Sequence, residues 1–159
     1  MNYRNLKVTS AILILALVMV FALLVLEVYR SFVQSDIERI RDFADQATER
    51  MLTAMNEQNY TEFSESFAPR VFFDQVCFAS FNSLVTARFG RYVSKEFLNV
   101  TRVGGYEVWV VYYRAKFTNE TGYVTVSVSM TEFQDKLMVT TMGIAKEPTL
   151  IMMSPYDLH

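Results

Sequence analysis

The chain has 159 residues, 52% of them hydrophobic and 20% charged, with a net charge of −2. That length holds one membrane segment and one domain of about 130 residues, too little for two domains. The near balance of charge, with no basic block and no acidic tail, argues against nucleic acid as a partner, and the single cysteine, Cys77, excludes an intramolecular disulfide.

The first seven residues carry Arg4 and Lys7 and read as a short tail (1–7). From Val8 to Leu26 the run VTSAILILALVMVFALLVL is uninterrupted by charge and is bounded by Glu27 and Arg30. About 20 apolar residues at 1.5 Å rise cross a hydrocarbon core of roughly 30 Å, so residues 8–26 are expected to be a transmembrane anchor with the bilayer as its partner. The run exceeds the 7–15 apolar residues of a cleaved signal peptide, and it ends in LLVLEVYRS without small residues suited to cleavage. Basic residues flank both sides, with Arg30, Arg39 and Arg41 after the span, so their count does not fix orientation. The short basic tail favours a single-pass protein in the cell membrane, with the N-terminus cytoplasmic and the domain outside. Three N-x-S/T sequons fit that topology as possible glycosylation sites: Asn59, Asn99 and Asn119. Seven asparagines in this composition give on the order of one sequon by chance, and Asn59 also suits a helix N-cap.

Neither Gly nor Pro occurs between Val8 and Ala68, so the membrane helix is expected to continue as a stalk over 27–41. Val33, Ile37, Ile40, Ala44, Ala47, Met51 and Ala54 recur at alternating spacings of four and three. This stripe fits a self-pairing coiled coil, hence a possible homodimer through the stalk, and equally a helix packed on its own sheet. For 42–57 packing on the sheet is the preferred reading.

Beyond Asn59, TEFSESFA predicts a short helix with Phe63 and Phe67 on one face, closed by Pro69. Residues 72–89 suit a second helix ended by Gly90. Cys77, within VFFDQVCFASF, is read as a buried small hydrophobe. From Lys95 the period becomes two: FLNVTRV, YEVWVVYYRAKF, YVTVSVSMTEF and KLMVTTMGIA read as four antiparallel strands, with a hairpin turn over 118–122 that carries Asn119. The result is an α+β architecture over 42–147, with the Val and Met face toward the helices and the Thr and Ser face toward water or a partner. The tail, 148–159, holds PTLIMM, which suits a last edge strand or the membrane surface.

Candidate functional residues are few. Trp109, Tyr112, Tyr113, Phe117 and Tyr123 crowd the central hairpin and suit an apolar ligand pocket, although alternation places Trp109, Tyr113 and Phe117 together as core. Asp74 and Glu107 are the carboxylates embedded in apolar sequence, the minimum a pocket enzyme would need. His159, the only histidine, is the last residue. No catalytic triad, metal cluster or phosphate loop is formed by these residue types, so no metal or cofactor is expected.

The order of elements, with AMNEQNYTEFSESF at 54–67, Phe89-Gly90-Arg91, VVYYRAKF at 110–117 and Gly143, resembles an uncharacterised prokaryotic, often archaeal, membrane-anchored family. The resemblance covers residues 40–146 and implies a cystatin-like or nuclear transport factor 2-like cone, with four curved strands and no defined reaction. With no catalytic constellation in the sequence, the leading expectation is a non-enzymatic binding or interaction domain, held at the membrane, for a protein or a small apolar ligand. By fold analogy with secretion-system scaffolds, the resemblance also leaves open an assembly subunit that dimerises through the sheet.

Overall fold

The computed structural model describes residues 3–68, 74–104, 107–146 and 149–153. It divides into two units, Met1–Arg39 and Ile40–His159. The first unit consists of the N-terminal part of one long helix, α1, which spans Tyr3–Glu57. The second is an α+β domain built from the end of that helix, α2 (Tyr60–Ser64), α3 (Gln75–Phe89) and five strands. These are β1 (Tyr92–Arg102), β2 (Val108–Phe117), β3 (Val124–Phe133), β4 (Lys136–Lys146) and β5 (Thr149–Met153).

From Ile40 onward the stripe of α1 is buried: Ile40, Ala44, Ala47, Thr48, Met51, Leu52 and Met55 all enter the core. The alanines keep the helix backbone close to a flat sheet, so the stripe serves the domain's own packing. The helix stops at Glu57 although no glycine is present to stop it. Gln58 adopts a left-handed φ of 57°, the Asn59 N–H donates to the Ala54 carbonyl at 2.9 Å, and the Gln58 N–H donates to Met55 O at 3.3 Å. This is a Schellman closure made with glutamine in place of glycine. Asn59 then caps α2, its Oδ1 accepting from the Glu62 N–H at 3.2 Å. On α2 and just beyond it, Phe63 and Phe67 are both buried, their rings 5.3 Å apart; Pro69 lies outside the described residues.

The sheet is an open antiparallel meander in the order β1-β2-β3-β4-β5. It therefore has five strands where the sequence predicts four, and β1 begins at Tyr92, ahead of the period change at Lys95. The added strand, β5, comes from the segment expected to be tail, and it pairs with β4 from Met142↔Met153 to Lys146↔Thr149. Its physical reason is the outer edge of β4, whose peptide groups need partners. Farther along the same edge, Ala68 N–H donates to Val139 O at 2.9 Å and Val139 N–H donates to Ser66 O at 3.0 Å. Both stretches of that edge are thus occupied.

The other edge, β1, has no neighbouring strand on its outer side among the described residues. Register shifts at Val93 and Leu98 interrupt its pairing with β2, which increases local twist and blunts edge-to-edge association. Val111, Tyr113, Ala115, Phe117, Val124, Val126, Val128, Met130, Met142 and Ile144 turn inward toward the helices and are fully or almost fully buried. The Val and Met face is therefore the core face, as alternation predicts.

A tight junction joins the helical layer to the sheet at Phe89-Gly90-Arg91. Gly90 caps α3 with φ 84°. The Thr118 N–H donates to Arg91 O at 2.9 Å and the Asn119 N–H to Phe89 O at 3.0 Å, while the Thr118 hydroxyl accepts from the Arg91 N–H at 2.9 Å. A methyl group on Gly90 would lie 2.2 Å from Thr118 Oγ1 and 2.8 Å from the Asn119 backbone nitrogen. Beside the junction, Glu120 accepts from Arg88 at 2.7 Å and is ion-paired with Lys146, which ties α3, the β2–β3 turn and the end of β4 together.

Two predictions follow from this junction. Gly90→Ala combines a left-handed φ with a backbone clash and is expected to cost about 2–4 kcal/mol; urea denaturation of the detergent-solubilised chain measures it, and a loss under 1 kcal/mol would contradict the junction. Acid is expected to weaken the same corner. The Lys146 ammonium, with Arg88, holds the Glu120 carboxyl below its ordinary range, and the Cys77 N–H does the same for Asp74. A depressed folded-state pKa contributes stability above the unfolded value and loses it as pH falls through the folded value. Thermal midpoints should therefore decline below about pH 4.5, and Glu120→Gln should flatten that decline.

Candidate functional site

In the N-terminal unit, every side chain from Leu15 to Leu26 is exposed, the large apolar ones from 45% at Leu26 to 72% at Leu17. Apolar side chains cover the helix on all sides, which distinguishes a spanning segment from the one-sided stripe of an amphipathic surface helix. Among the described residues, one helix is long and apolar enough to cross a membrane. Glu27 and Arg30 follow this stretch, 3.7 Å apart and well exposed, and the Gln34 amide donates to Glu38 at 3.0 Å.

In the domain, the five aromatic candidates divide between environments. Tyr113 and Phe117 are core residues, and Trp109 packs half-buried at the margin of the core cluster with the Arg102 guanidinium 5.4 Å from its ring. Tyr112 lies on the opposite face, in register with Asn99 and Ser127. Tyr123 is 45% exposed at the hairpin turn, under the Lys116 ammonium at 5.5 Å. The sheet thus sets Trp109, Tyr113 and Phe117 on one face of β2, about 13 Å from each to the next, so they share the core without meeting as a pocket, and it leaves Tyr112 and Tyr123 outside that core.

The carboxylates are placed differently from what a pocket enzyme needs. Asp74 is the exposed N-cap of α3, with Oδ1 accepting from the Cys77 N–H at 2.7 Å. Glu107 is exposed, and its backbone carbonyl accepts from the Thr131 hydroxyl at 2.9 Å. Cys77 is half-buried, a correction to the expectation of full burial, because it sits in the first turn of α3. Its thiol pKa is raised, chiefly by its hydrogen bond with Asp74, which opposes thiolate formation. His159 lies outside the described residues, and no group of three metal-ligating side chains occurs among those that are described.

The structure adds a polar cluster that alternation alone did not single out. Lys95 stands on the core-facing side of β1 with only 5% of its side chain exposed. Its ammonium pairs with Asp45, lies 3.4 Å from Glu49 and sits 4.8 Å above the Tyr113 ring. Glu49 also accepts from the Tyr92 hydroxyl at 2.8 Å. Asp45 and Glu49 are one turn apart on α1, beside the buried Ala44 and Thr48, and that i,i+4 acidic pair opposite a strand lysine was the available signal. Burial pushes the phenols of Tyr92 and Tyr113 well above their ordinary range. The Thr48 and Tyr113 hydroxyls are both buried with no partner in hydrogen-bond geometry, although Thr48 stands close enough to offset part of the upward push on Tyr113.

Two surfaces remain open. A shallow groove of about 550 Å³ runs between Gln58 and α3, lined by Gln75, Phe78, Asn82, Ser83 and Thr86. The second is the outer sheet face, where one row reads Asn99, Tyr112, Ser127, Gly143 and Met152 across all five strands. Thr125, Ser129 and Thr131 share this face with Ser127 on β3, consistent with the predicted Thr and Ser side. A methyl on Gly143 would lie 2.9 Å from Ser127 Oγ, so the serine side chain would have to turn aside.

No protein-family model matches the chain, and no curated protein sequence matches it. The unpartnered phenol gives a test of the cluster. Tyr113→Phe removes a buried hydroxyl that gains no hydrogen bond, so it should stabilise the domain by about 1 kcal/mol. Chemical denaturation measures the change, and a loss of stability would show that the hydroxyl is bonded to Thr48.

Proposed function

We propose that the chain is a single-pass membrane protein whose N-terminal helix anchors a non-enzymatic binding or interaction domain on the outer side of the cell membrane. The observation that carries the reading is the all-round exposure of apolar side chains from Leu15 to Leu26. A segment of that kind is stable where hydrocarbon surrounds it. The basic tail and three exposed sequon asparagines support an outward domain.

The cystatin-like or nuclear transport factor 2-like assignment belongs to the same proposal. Helices on one face of an antiparallel meander support it, whereas the open fifth strand departs from the four-stranded pattern. For the binding role, the outer sheet face offers hydroxyl groups and Tyr112 without a covering element among the described residues. A second reading, an assembly scaffold subunit, is favoured by the apolar side chains that β1 exposes, Val93 at 59% and Leu98 at 42%, which a partner would cover by side-chain contact and not by adding a strand to the irregular edge.

Protease accessibility tests the topology. In cells of its native type the full chain should remain with membranes after alkaline extraction, and protease added to intact cells should remove the domain. Release by alkaline extraction would overturn the anchor, and protection until lysis would place the domain in the cytoplasm.

A further inference from the structure

Between Ile40 and His159 there are five asparagines: Asn56, Asn59, Asn82, Asn99 and Asn119. Asn56 and Asn82 are engaged in the interior and neither belongs to a sequon. Asn56 donates to Tyr92 O at 2.8 Å and accepts from the Tyr92 N–H at 2.9 Å, and Asn82 donates to Met55 O at 2.9 Å. The other three are all exposed, and all three head a sequon. Exposure and sequon therefore coincide at every asparagine of the domain.

The three sites differ in what holds the acceptor nitrogen. The Nδ2 of Asn59 donates to Glu62 at 3.3 Å while its Oδ1 caps α2, so both ends of the amide are used. Asn99 uses only its Oδ1, which accepts from the Val100 N–H at 2.8 Å. It follows the Leu98 bulge on the unpaired edge strand, in extended backbone with Thr101 next on the same outer face. Asn119 lies in the exposed β2–β3 turn, with Oδ1 accepting from the Thr118 hydroxyl at 3.4 Å. At both positions Nδ2 has no partner among the described residues, and solvent surrounds the space a sugar would occupy.

We infer that Asn99 and Asn119 are N-glycosylated and that Asn59 is not, a reading that rests on the outward topology proposed above. The donor is a lipid-linked phosphosugar. A bond forms between Asn Nδ2 and the anomeric carbon, the carbon–oxygen bond to the lipid phosphate breaks, the phosphate leaves with the electron pair, and one amide proton is released to solvent. A glycan at Asn99 would cover the outer side of β1, and one at Asn119 would stand over the junction with Gly90.

The test is peptide mass analysis of the full chain purified from its native type of cell, together with the protease experiment. Sugar mass is expected on the peptides holding Asn99 and Asn119 and none on that holding Asn59. Thr101→Ala and Thr121→Ala should each remove one increment while leaving the asparagine in place, and Thr101→Ser should keep it. Unmodified Asn99 and Asn119 in a chain whose domain is cleaved on intact cells would overturn the glycosylation while the topology stands. Unmodified sites with a protected domain would overturn both, and sugar on Asn59 would overturn the selection by amide engagement.

Discussion

The last turn of α1 is the constraint on which the domain's order depends. The Met55 carbonyl accepts from the Asn82 amide and from the Gln58 N–H, and the Ala54 carbonyl accepts from the Asn59 N–H. One residue on, the Asn56 side chain makes paired hydrogen bonds with the Tyr92 backbone, as a neighbouring strand would. These few polar groups attach α1 to α3, to the start of α2 and to the first residue of β1. Each bond contributes only about 1 kcal/mol net, yet leaving a buried partner unsatisfied costs about 1–3 kcal/mol, so the arrangement excludes alternatives more than it adds stability. The hydrophobic stripe decides that α1 lies on the sheet, and the amides decide where along the sheet it lies.

Much of this was legible because several signals agreed. Ala44, Ala47, Met51 and Ala54 share a helical face, and all are buried. Gly90 stands where a helix ends and a strand begins, and both its φ and its contact with Thr118 require the missing side chain. The alternation of Val with Ser and Thr on β3 separated its two faces correctly. The fifth strand was legible only as one of two readings of PTLIMM, because an apolar run without alternation suits a sheet edge and a membrane surface alike, and the unfilled edge of β4 decides between them. The Lys95 cluster escaped for a related reason: a lysine on a strand reads as solvated, and only the fold brings Asp45, Glu49 and the Tyr113 ring around it.

Charge is distributed so that the corners are fastened and the middle of the outer face is left plain. Glu120 joins Arg88 and Lys146 at one corner, and Lys95 joins two carboxylates of α1 near the start of β1. Arg41 lies 4.5 Å from the Phe97 ring, farther along the α1–β1 contact. In each ion pair one partner is nearly buried and the other stays partly or largely open to solvent, which screens the attraction; their use is to fix how helix and strand meet. The row through Tyr112, Ser127 and Gly143 carries no charge, so recognition there would rely on shape, hydroxyl groups and one phenol.

The pocket-enzyme reading required a carboxylate whose charge is disfavoured by apolar surroundings, because only a raised pKa lets such a group hold a proton near neutral pH. Asp74 is driven the other way: it receives the Cys77 N–H at the start of α3, and that hydrogen bond lowers its pKa. A different contact, the hydrogen bond between the Cys77 thiol and the Asp74 carboxylate, raises the pKa of the thiol, against the usual effect of a helix N-terminus. The carboxylate is thus held in its charged form, where it caps the first turn of α3. Farther along α3, Phe78 and Phe81 face the core while Asp74 faces solvent.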